Sequence, residues 1–513
     1  MHSIADEISD LVLEFGGAYT GEHGDGIVRG AWAEKMFGKK LVNYFSDVKK
    51  TFDPNSIMNP GKIFNTPPMT SNLRYGTKYK TKTFETKLDW SKETNFTSAI
   101  EKCNGVGACR KMYSGAMCPS YQATQEEEHS TRGRANALRS AISGALPYKE
   151  LSSKRMFDVL DLCLECKSCK SECPSNVDMA KIKYEFLNNY YLTHKIPIRS
   201  RMIANVHMIN SLTSKFFPRI TNFLIRSLPA RIILHYLIGL DKRRKTPKVV
   251  SKTFENWFKK RNPTTTGSRG EIVLFHDTFM NFNHPESGIA ATKLLEALGF
   301  KVLIVDRKCC GRPIISKGML DQAKKFAEYN VDLLYNFAKK GIKIVGCESS
   351  CIIAIKDDYP DLLVNNKKAK VVAKNTFLIQ DLLNETSGDD KEQINWNKKI
   401  EDINLHVHCH ERALSGTNSA LEALNLPSGY NAKLIDAGCC GMAGSFGFEK
   451  EHYDVSIKIG EERLFPAIRK ASKSSIPTIT GISCKQQIED GTGVNAKYLT
   501  EILADALHNE NEK

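Results

Sequence analysis

The sequence has no long apolar run. Its most apolar stretches, such as Ile232 to Leu240, reach only about half of the roughly 18 residues that suggest a membrane span, so no transmembrane helix is expected. The N-terminus, MHSIADEISD, lacks the positive charge and apolar core of a secretory leader, which points to a cytoplasmic protein. Low-complexity tracts are also missing, and 41% hydrophobic residues in a chain of 513 exclude a disordered protein. At the usual domain size the chain should hold about three or four separately cored units. Acidic residues are scarce in one segment. Between Lys195 and Arg261 there are 16 Lys or Arg against only Asp241 and Glu255, so +14 of the total +15 sits there. Such a block attracts an acidic partner, anionic lipid or nucleic acid. Few aromatics are placed for base stacking, so no nucleic acid is expected, and an acidic partner or a peripheral membrane contact remains.

Two helical patterns open the chain. Ile4, Ile8, Leu11, Val12 and Phe15 form one, and Phe37, Leu41, Tyr44, Phe45, Val48 and Phe52 form the other. Between them lies the loop Gly21-Glu22-His23-Gly24-Asp25-Gly26, and after them the turn Asn59-Pro60-Gly61. Two helices and a loop cannot enclose a full core, so residues 1–64 are expected to belong to a larger domain whose remainder is absent. Residues 65–98 read as a linker. Residues 195–262, broken by Pro197, Pro218 and Pro229, read as short amphipathic helices.

From Glu271 onward the pattern becomes α/β, with strands expected at 271–275, 301–305, 342–346, 404–408, 432–436 and 477–482. The region repeats itself: His276-Asp277 matches His408-Cys409, Cys310 matches Cys440 and Cys351 matches Cys484, at offsets of 132, 130 and 133. The fold class is therefore mixed α+β and α/β in several domains, with tandem α/β units at 270–385 and 402–508.

Fifteen cysteines in a chain without an export signal suit metal ligation or redox chemistry better than disulfides. Cys163-x2-Cys166-x2-Cys169-x3-Cys173-Pro174 has the spacing of bacterial two-cluster ferredoxins, in which the Cys before Pro ligates the other cluster. Cys103-x5-Cys109-x8-Cys118-Pro119 reads as a second copy, with Val106 in place of its middle ligand. Crosswise ligation predicts a [4Fe-4S] cluster on Cys118, Cys163, Cys166 and Cys169 within residues 99–190. Cys103, Cys109 and Cys173 are left for a second site, which could hold a three-iron cluster, a four-iron cluster with a non-Cys ligand, or no metal. Four thiolates also suit zinc, although this spacing matches the iron-sulfur run in particular.

In the second α/β unit Cys409, Cys439, Cys440 and Cys484 stand near strand ends, where open sheets build sites, and could hold a further cluster. The first unit offers Cys309, Cys310, Cys347 and Cys351 but has Asp277 where the second has Cys409. Buried structural cysteine is the alternative for both sets.

Taken together, these motifs resemble the C-terminal half of bacterial FAD- and iron-sulfur-containing dehydrogenases of D-2-hydroxy acids. That family joins a D-lactate or D-2-hydroxyglutarate dehydrogenase-like flavin module to a glycolate-oxidase-type iron-sulfur module. The resemblance covers essentially the whole chain. It rests on the Gly21–Gly26 loop, Phe52-Asp53-Pro54 through Asn59-Pro60-Gly61-Lys62, both ferredoxin-like motifs, His129-Ser130-Thr131-Arg132-Gly133-Arg134 and the paired cysteines. It implies a C-terminal piece of a FAD-linked oxidase domain, an α-helical ferredoxin-like two-cluster domain and tandem CCG domains.

The same resemblance implies that Glu22 ligates a divalent metal such as zinc at the substrate site, that His23 is the catalytic base, and that Asn59 lies near the flavin. FAD would be held by the missing half or by a separate polypeptide. Electrons would pass from it through the clusters to a quinone, cytochrome or flavoprotein acceptor, on a cytoplasmic protein that could also lie peripherally on the inner membrane. The alternatives are a stand-alone iron-sulfur carrier without substrate chemistry and a heterodisulfide-reductase-like thiol/disulfide protein.

Overall fold

The computed structural model describes the chain except Met1, residues 72, 74, 77, 78, 84, 264–266, 387–393 and 473, and the last five residues, 509–513. It divides into two compact units, residues 1–81 and 82–513.

The first unit holds the helices His2–Glu14 and Ala33–Phe52, the second kinked at Gly38. Trp32 is buried and its indole N–H donates to Asp6 at 2.8 Å. Asp53 closes the turn after the second helix by accepting from the Ile57 and Met58 N–H groups, each at 2.9 Å. The expected apolar stripes exist, yet Ile4, Ile8, Leu11, Phe15, Leu41, Tyr44, Val48 and Phe52 stand exposed. Helical periodicity marks an apolar face without naming what covers it, and among the described residues of this unit nothing does.

The second unit opens with Leu88, Trp90 and Phe96, all buried. This end of the stretch read as a linker is instead anchored. The Glu185 carboxylate accepts from the Lys87 N–H (2.8 Å), the Leu88 N–H (3.0 Å) and the Trp90 indole (3.1 Å), so the backbone here has fixed partners. Short helices follow, among them Pro119–Thr124, Thr131–Ile142, Lys154–Asp161, Ser168–Glu172 and Met179–Thr193. Ser130 caps the second of these by accepting from the Gly133 N–H at 2.9 Å. Four more helices, Ile198–Ala204, Val206–Phe216, Pro218–Arg226 and Leu228–Ile238, break near the three prolines that the sequence places there.

Two four-stranded sheets complete the unit. The first contains β1 (Glu271–Leu274), β2 (Lys301–Leu303), β3 (Ile344–Gly346) and β4 (Thr376–Leu378). The second contains β5 (Glu401–His406), β6 (Tyr430–Leu434), β7 (Ile476–Ile479) and β8 (Lys497–Tyr498). Their orders are β2-β1-β3-β4 and β6-β5-β7-β8, and every pairing is parallel. The repeat seen in three sequence landmarks is thus a repeat of topology. β4 and β8, of three and two residues, run directly into the helices Ile379–Thr386 and Leu499–Asp505, so no break in the sequence marks them off. Helices cover the sheets, as parallel strands require, and Ile272, Val273, Leu274, Ile403 and Leu405 are fully enclosed.

Candidate iron-sulfur centres

The helix Ser168–Glu172 follows a tight loop in which Glu165 and Lys167 both take positive φ. This loop turns Cys163, Cys166 and Cys169 inward. Together with Cys118 they line one small pocket, also walled by Met117, Pro119, Thr131, Arg134, Met179 and Ala180. Every one of these cysteines is buried and free. Four buried, free thiols turned toward one pocket are the donor set that a cubane cluster takes.

Electrostatics inside the cavity are uneven. Burial pushes the Cys163, Cys166 and Cys169 thiols up. Burial would also raise Cys118, but Arg134 and Ser120 outweigh it and bring that thiol below its usual value. The Arg134 guanidinium is fully enclosed, with Nη1 3.5 Å from Cys118 Sγ, Nη2 donating to Ser120 Oγ (2.9 Å) and Nε to the Val159 carbonyl (3.1 Å). A buried cation facing one thiolate favours the deprotonated form that metals require.

Both sheet domains clamp the loop. Lys167, 2% exposed, bridges Asp357 at 2.7 Å and Asp358 at 2.6 Å from the first sheet domain. Glu165 pairs with Arg312 of that same domain (3.1 Å) and with Lys183 (3.4 Å). From the second sheet domain, Cys409 and Cys439 share a buried cluster with Cys166.

Cys109 lies within electrostatic reach of Cys103 and Cys118, and its Sγ accepts from the Arg132 N–H at 3.4 Å. Cys103, Cys109 and Cys173 share the same buried cluster, while Val106, in the slot of the absent ligand, is exposed.

In the second sheet domain four thiols form a connected row. Cys439 interacts with Cys409 and Cys440, and Cys440 with Cys484. Gly441 makes the turn possible: it has φ +94°, and a Cβ there would lie 2.3 Å from the Ser456 carbonyl oxygen. His406, which sequence reasoning missed, belongs to the same site, because its ring nitrogen and the Cys440 and Cys484 sulfurs lie within 4.8 Å of one another. A histidine at a strand end has no motif, so only tertiary placement reveals it.

The first sheet domain repeats the arrangement in part. Cys310 Sγ stands 3.0 Å from Cys351 Sγ, and Cys309 adjoins Cys310. Cys347 lies apart from them, in a different apolar cluster. Asp277 does not present a ligand here; it caps the helix Thr278–Phe282 by accepting from the Phe279 (2.8 Å) and Met280 (3.1 Å) N–H groups. The two cysteine sites meet across the domain joint, where Glu348, one residue after Cys347, accepts from the Ile482 N–H at 2.8 Å.

In the first unit Glu22, His23 and Asn59 are all exposed, and Lys62 donates to Asn59 Oδ1 at 3.0 Å. Among the described residues no group of three metal donors includes Glu22 or His23.

Three family models match the chain: the C-terminal domain of FAD linked oxidases over residues 1–63, a 4Fe-4S dicluster domain over 99–177 and the CCG cysteine-rich domain over 273–356. These folds and buried thiol sets define an iron-sulfur protein carrying a segment of a FAD-linked oxidase. More narrowly, the chain belongs to a family that includes an anaerobic glycerol-3-phosphate dehydrogenase subunit of Escherichia coli (strain K12), to which it is 30% identical over 336 residues, 64% of this chain and 81% of the relative. It is also 25% identical to the D-2-hydroxyglutarate dehydrogenase of that strain, across 98% of this chain and 53% of the relative. The glycolate oxidase iron-sulfur subunit of the strain is 22% identical, over 80% and 95%. The chain thus spans about half the length of the D-2-hydroxyglutarate dehydrogenases it matches.

Proposed function

We propose that this chain is the iron-sulfur portion of a flavin-dependent D-2-hydroxy-acid dehydrogenase and carries electrons from reduced FAD, held by a partner half or subunit, to a quinone, cytochrome or flavoprotein. The observation that carries this reading is the convergence of Cys118, Cys163, Cys166 and Cys169 on one pocket, with Cys166 and Cys409 in one buried cluster. A thiolate-held cluster supplies one-electron chemistry when bound. Cys118, Cys163, Cys166 and Cys169 would hold it, Arg134 would favour the thiolate of Cys118, and the apolar walls would exclude water. Similarity to D-2-hydroxyglutarate dehydrogenases across the first unit as well favours a 2-hydroxy acid as donor. Glu22 and His23 would meet that substrate only once the FAD-bearing half covers the exposed stripes of residues 1–64, as a metal ligand and a base respectively.

The reading extends to a peripheral membrane contact on the cytoplasmic side. No helix among the described residues is long and apolar enough to cross a membrane. However, Met208, Leu212, Phe216, Ile220, Phe223, Leu224, Ile233, Tyr236 and Leu237 stand exposed on three consecutive helices beside the exposed cations Lys215, Arg219 and Lys245. Apolar stripes bordered by basic side chains suit an anionic lipid surface.

The test combines the anaerobically purified chain with its FAD-bearing half and adds D-2-hydroxyglutarate, D-lactate or glycolate. Bleaching of the iron-sulfur absorbance by one of them, lost in Cys166→Ser, is the expected result. A dithionite-reducible spectrum that no hydroxy acid bleaches overturns the dehydrogenase assignment. The exposure of Glu22 and His23 favours a second reading, an electron carrier without substrate chemistry, and unchanged activity of a His23→Ala complex supports it.

A further inference from the structure

We infer that His406 is a metal ligand, its imidazole binding an iron of the cluster held by Cys409, Cys439, Cys440 and Cys484. The inference rests on the iron-sulfur reading above and extends it to a residue that no thiol motif marks. His406 is the last residue of β5 and is fully buried. Neither ring nitrogen makes a well-formed hydrogen bond to nitrogen or oxygen among the described residues, and the group that interacts with the ring is the Cys440 thiol. A buried imidazole set against a thiol, with no oxygen partner, is a donor placed for a shared metal ion. What faces it is a pair of thiols: a ring nitrogen, Cys440 Sγ and Cys484 Sγ lie within 4.8 Å of one another, close enough for one metal ion to touch all three.

The internal repeat supplies an independent comparison. The last residue of β1, the matching strand of the first sheet domain, is Leu274, also fully buried. Packing at this strand end is therefore met by an aliphatic side chain. The second domain has an imidazole at this strand end, near Cys440 and Cys484, where the first domain has leucine. Mixed imidazole and thiolate sets hold iron, and a neutral imidazole brings no negative charge to the reduced site, so its potential lies higher than it would with a cysteine at the same position.

The test uses the full chain purified without oxygen and reduced with dithionite. Pulsed paramagnetic resonance should detect a nitrogen hyperfine coupling on an iron-sulfur signal, and the coupling should change when the histidines are labelled with a different nitrogen isotope. His406→Leu, which installs the residue of the first domain, should abolish the coupling and lower the iron content while leaving the signal of the Cys118 cluster intact. His406→Cys should keep the iron, lose the coupling and lower the potential of that site.

Unchanged iron and coupling in His406→Leu overturn the ligand assignment, and zinc in place of iron at these thiols overturns the iron. A wild-type chain with no iron-sulfur signal at all fails the underlying reading. A wild-type signal indifferent to His406 fails only the inference.

Discussion

The Nε2–H of His410 donates to the backbone carbonyl of Glu165 at 2.9 Å, tying the loop that carries Cys166 to the helix that starts at Cys409. A carbonyl can only accept, so Nε2 bears the proton, and burial keeps the ring well below its usual pKa and hence neutral. A buried side-chain to main-chain hydrogen bond thus links the loop of the first pocket to the helix that carries Cys409 of the thiol row.

Arg134 brings a buried positive charge to 3.5 Å from Cys118 Sγ, a ligand of the predicted cluster. Arg134→Gln removes a cation beside Cys118 and strips the Ser120 hydroxyl and Val159 carbonyl of a buried partner. The cluster potential should shift downward in a redox titration followed by paramagnetic resonance. Stability should fall by roughly 1–3 kcal/mol for each buried group left unpaired. An unchanged potential would remove Arg134 from the role of tuning Cys118.

Gly133 has no room for a side chain. A Cβ there would sit 2.0 Å from the Glu127 carbonyl oxygen and 2.8 Å from the Glu128 Cα, both backbone atoms. Gly133→Ala should therefore push the Glu127–His129 turn away from the helix, at a cost of about 1–3 kcal/mol or more. Thermal denaturation checks this, and a melting temperature equal to that of the wild type would count against the close packing.

His452 joins three parts of the second unit, with Nε2 2.8 Å from Asp161 and Nδ1 3.2 Å from Glu449, which Lys317 and Arg199 also approach at 2.6 and 3.1 Å. Burial opposes charge on His452, but the two carboxylates outweigh it and raise its pKa. Burial likewise works against Asp161 and Glu449, and their cationic neighbours lower both. The histidine contribution is complete below its ordinary value of about 6.5 and is lost as pH rises through the raised value. The carboxylate contributions are complete above about 4.5 and are lost as pH falls through the depressed values. The melting-temperature gap between wild type and His452→Gln should be widest between roughly pH 4.5 and 6.5 and should narrow above neutrality. A gap that widens with rising pH would contradict the charged pair.

The exposed helices predict vesicle binding. Full-length chain should co-sediment with vesicles containing phosphatidylglycerol, weakly with neutral ones, and less at high salt. The pair Phe223→Asp and Leu237→Asp should reduce the bound fraction by roughly tenfold without altering the visible spectrum. Equal binding to neutral and anionic vesicles, or none by the wild type, would refute the membrane contact.

Much of the chemistry was legible because covalent spacing survives folding. The Cys163–Cys173 run carries its ligand geometry in the loop itself, so its four-thiol set could be named before any contact was known. The repeat was legible from landmarks at strand ends, where backbone and chemistry coincide. β4 and β8 were not, since each runs straight into a helix and no turn residue marks its end. His406 was invisible for a different reason: its meaning lies in two thiols that β6 and β7 bring to it. The stripe of Ile4, Ile8 and Leu11 showed a face in the sequence, and the fold leaves that face exposed.

The matching strand ends of the two sheet domains now answer to different demands. In one, Asp277 spends its carboxylate on the N–H groups of Phe279 and Met280; in the other, His408 takes over the capping, its Nδ1 accepting from the His410 N–H at 3.2 Å, and Cys409 packs in one buried cluster with Cys166 and Cys439. A one-residue transfer of a structural duty has freed a position for chemistry. Substitutions at these two aligned sites therefore have unlike consequences, the loss of a helix start at Asp277 and the loss of a sulfur at Cys409, and the symmetry of the ancestry no longer predicts the symmetry of the damage.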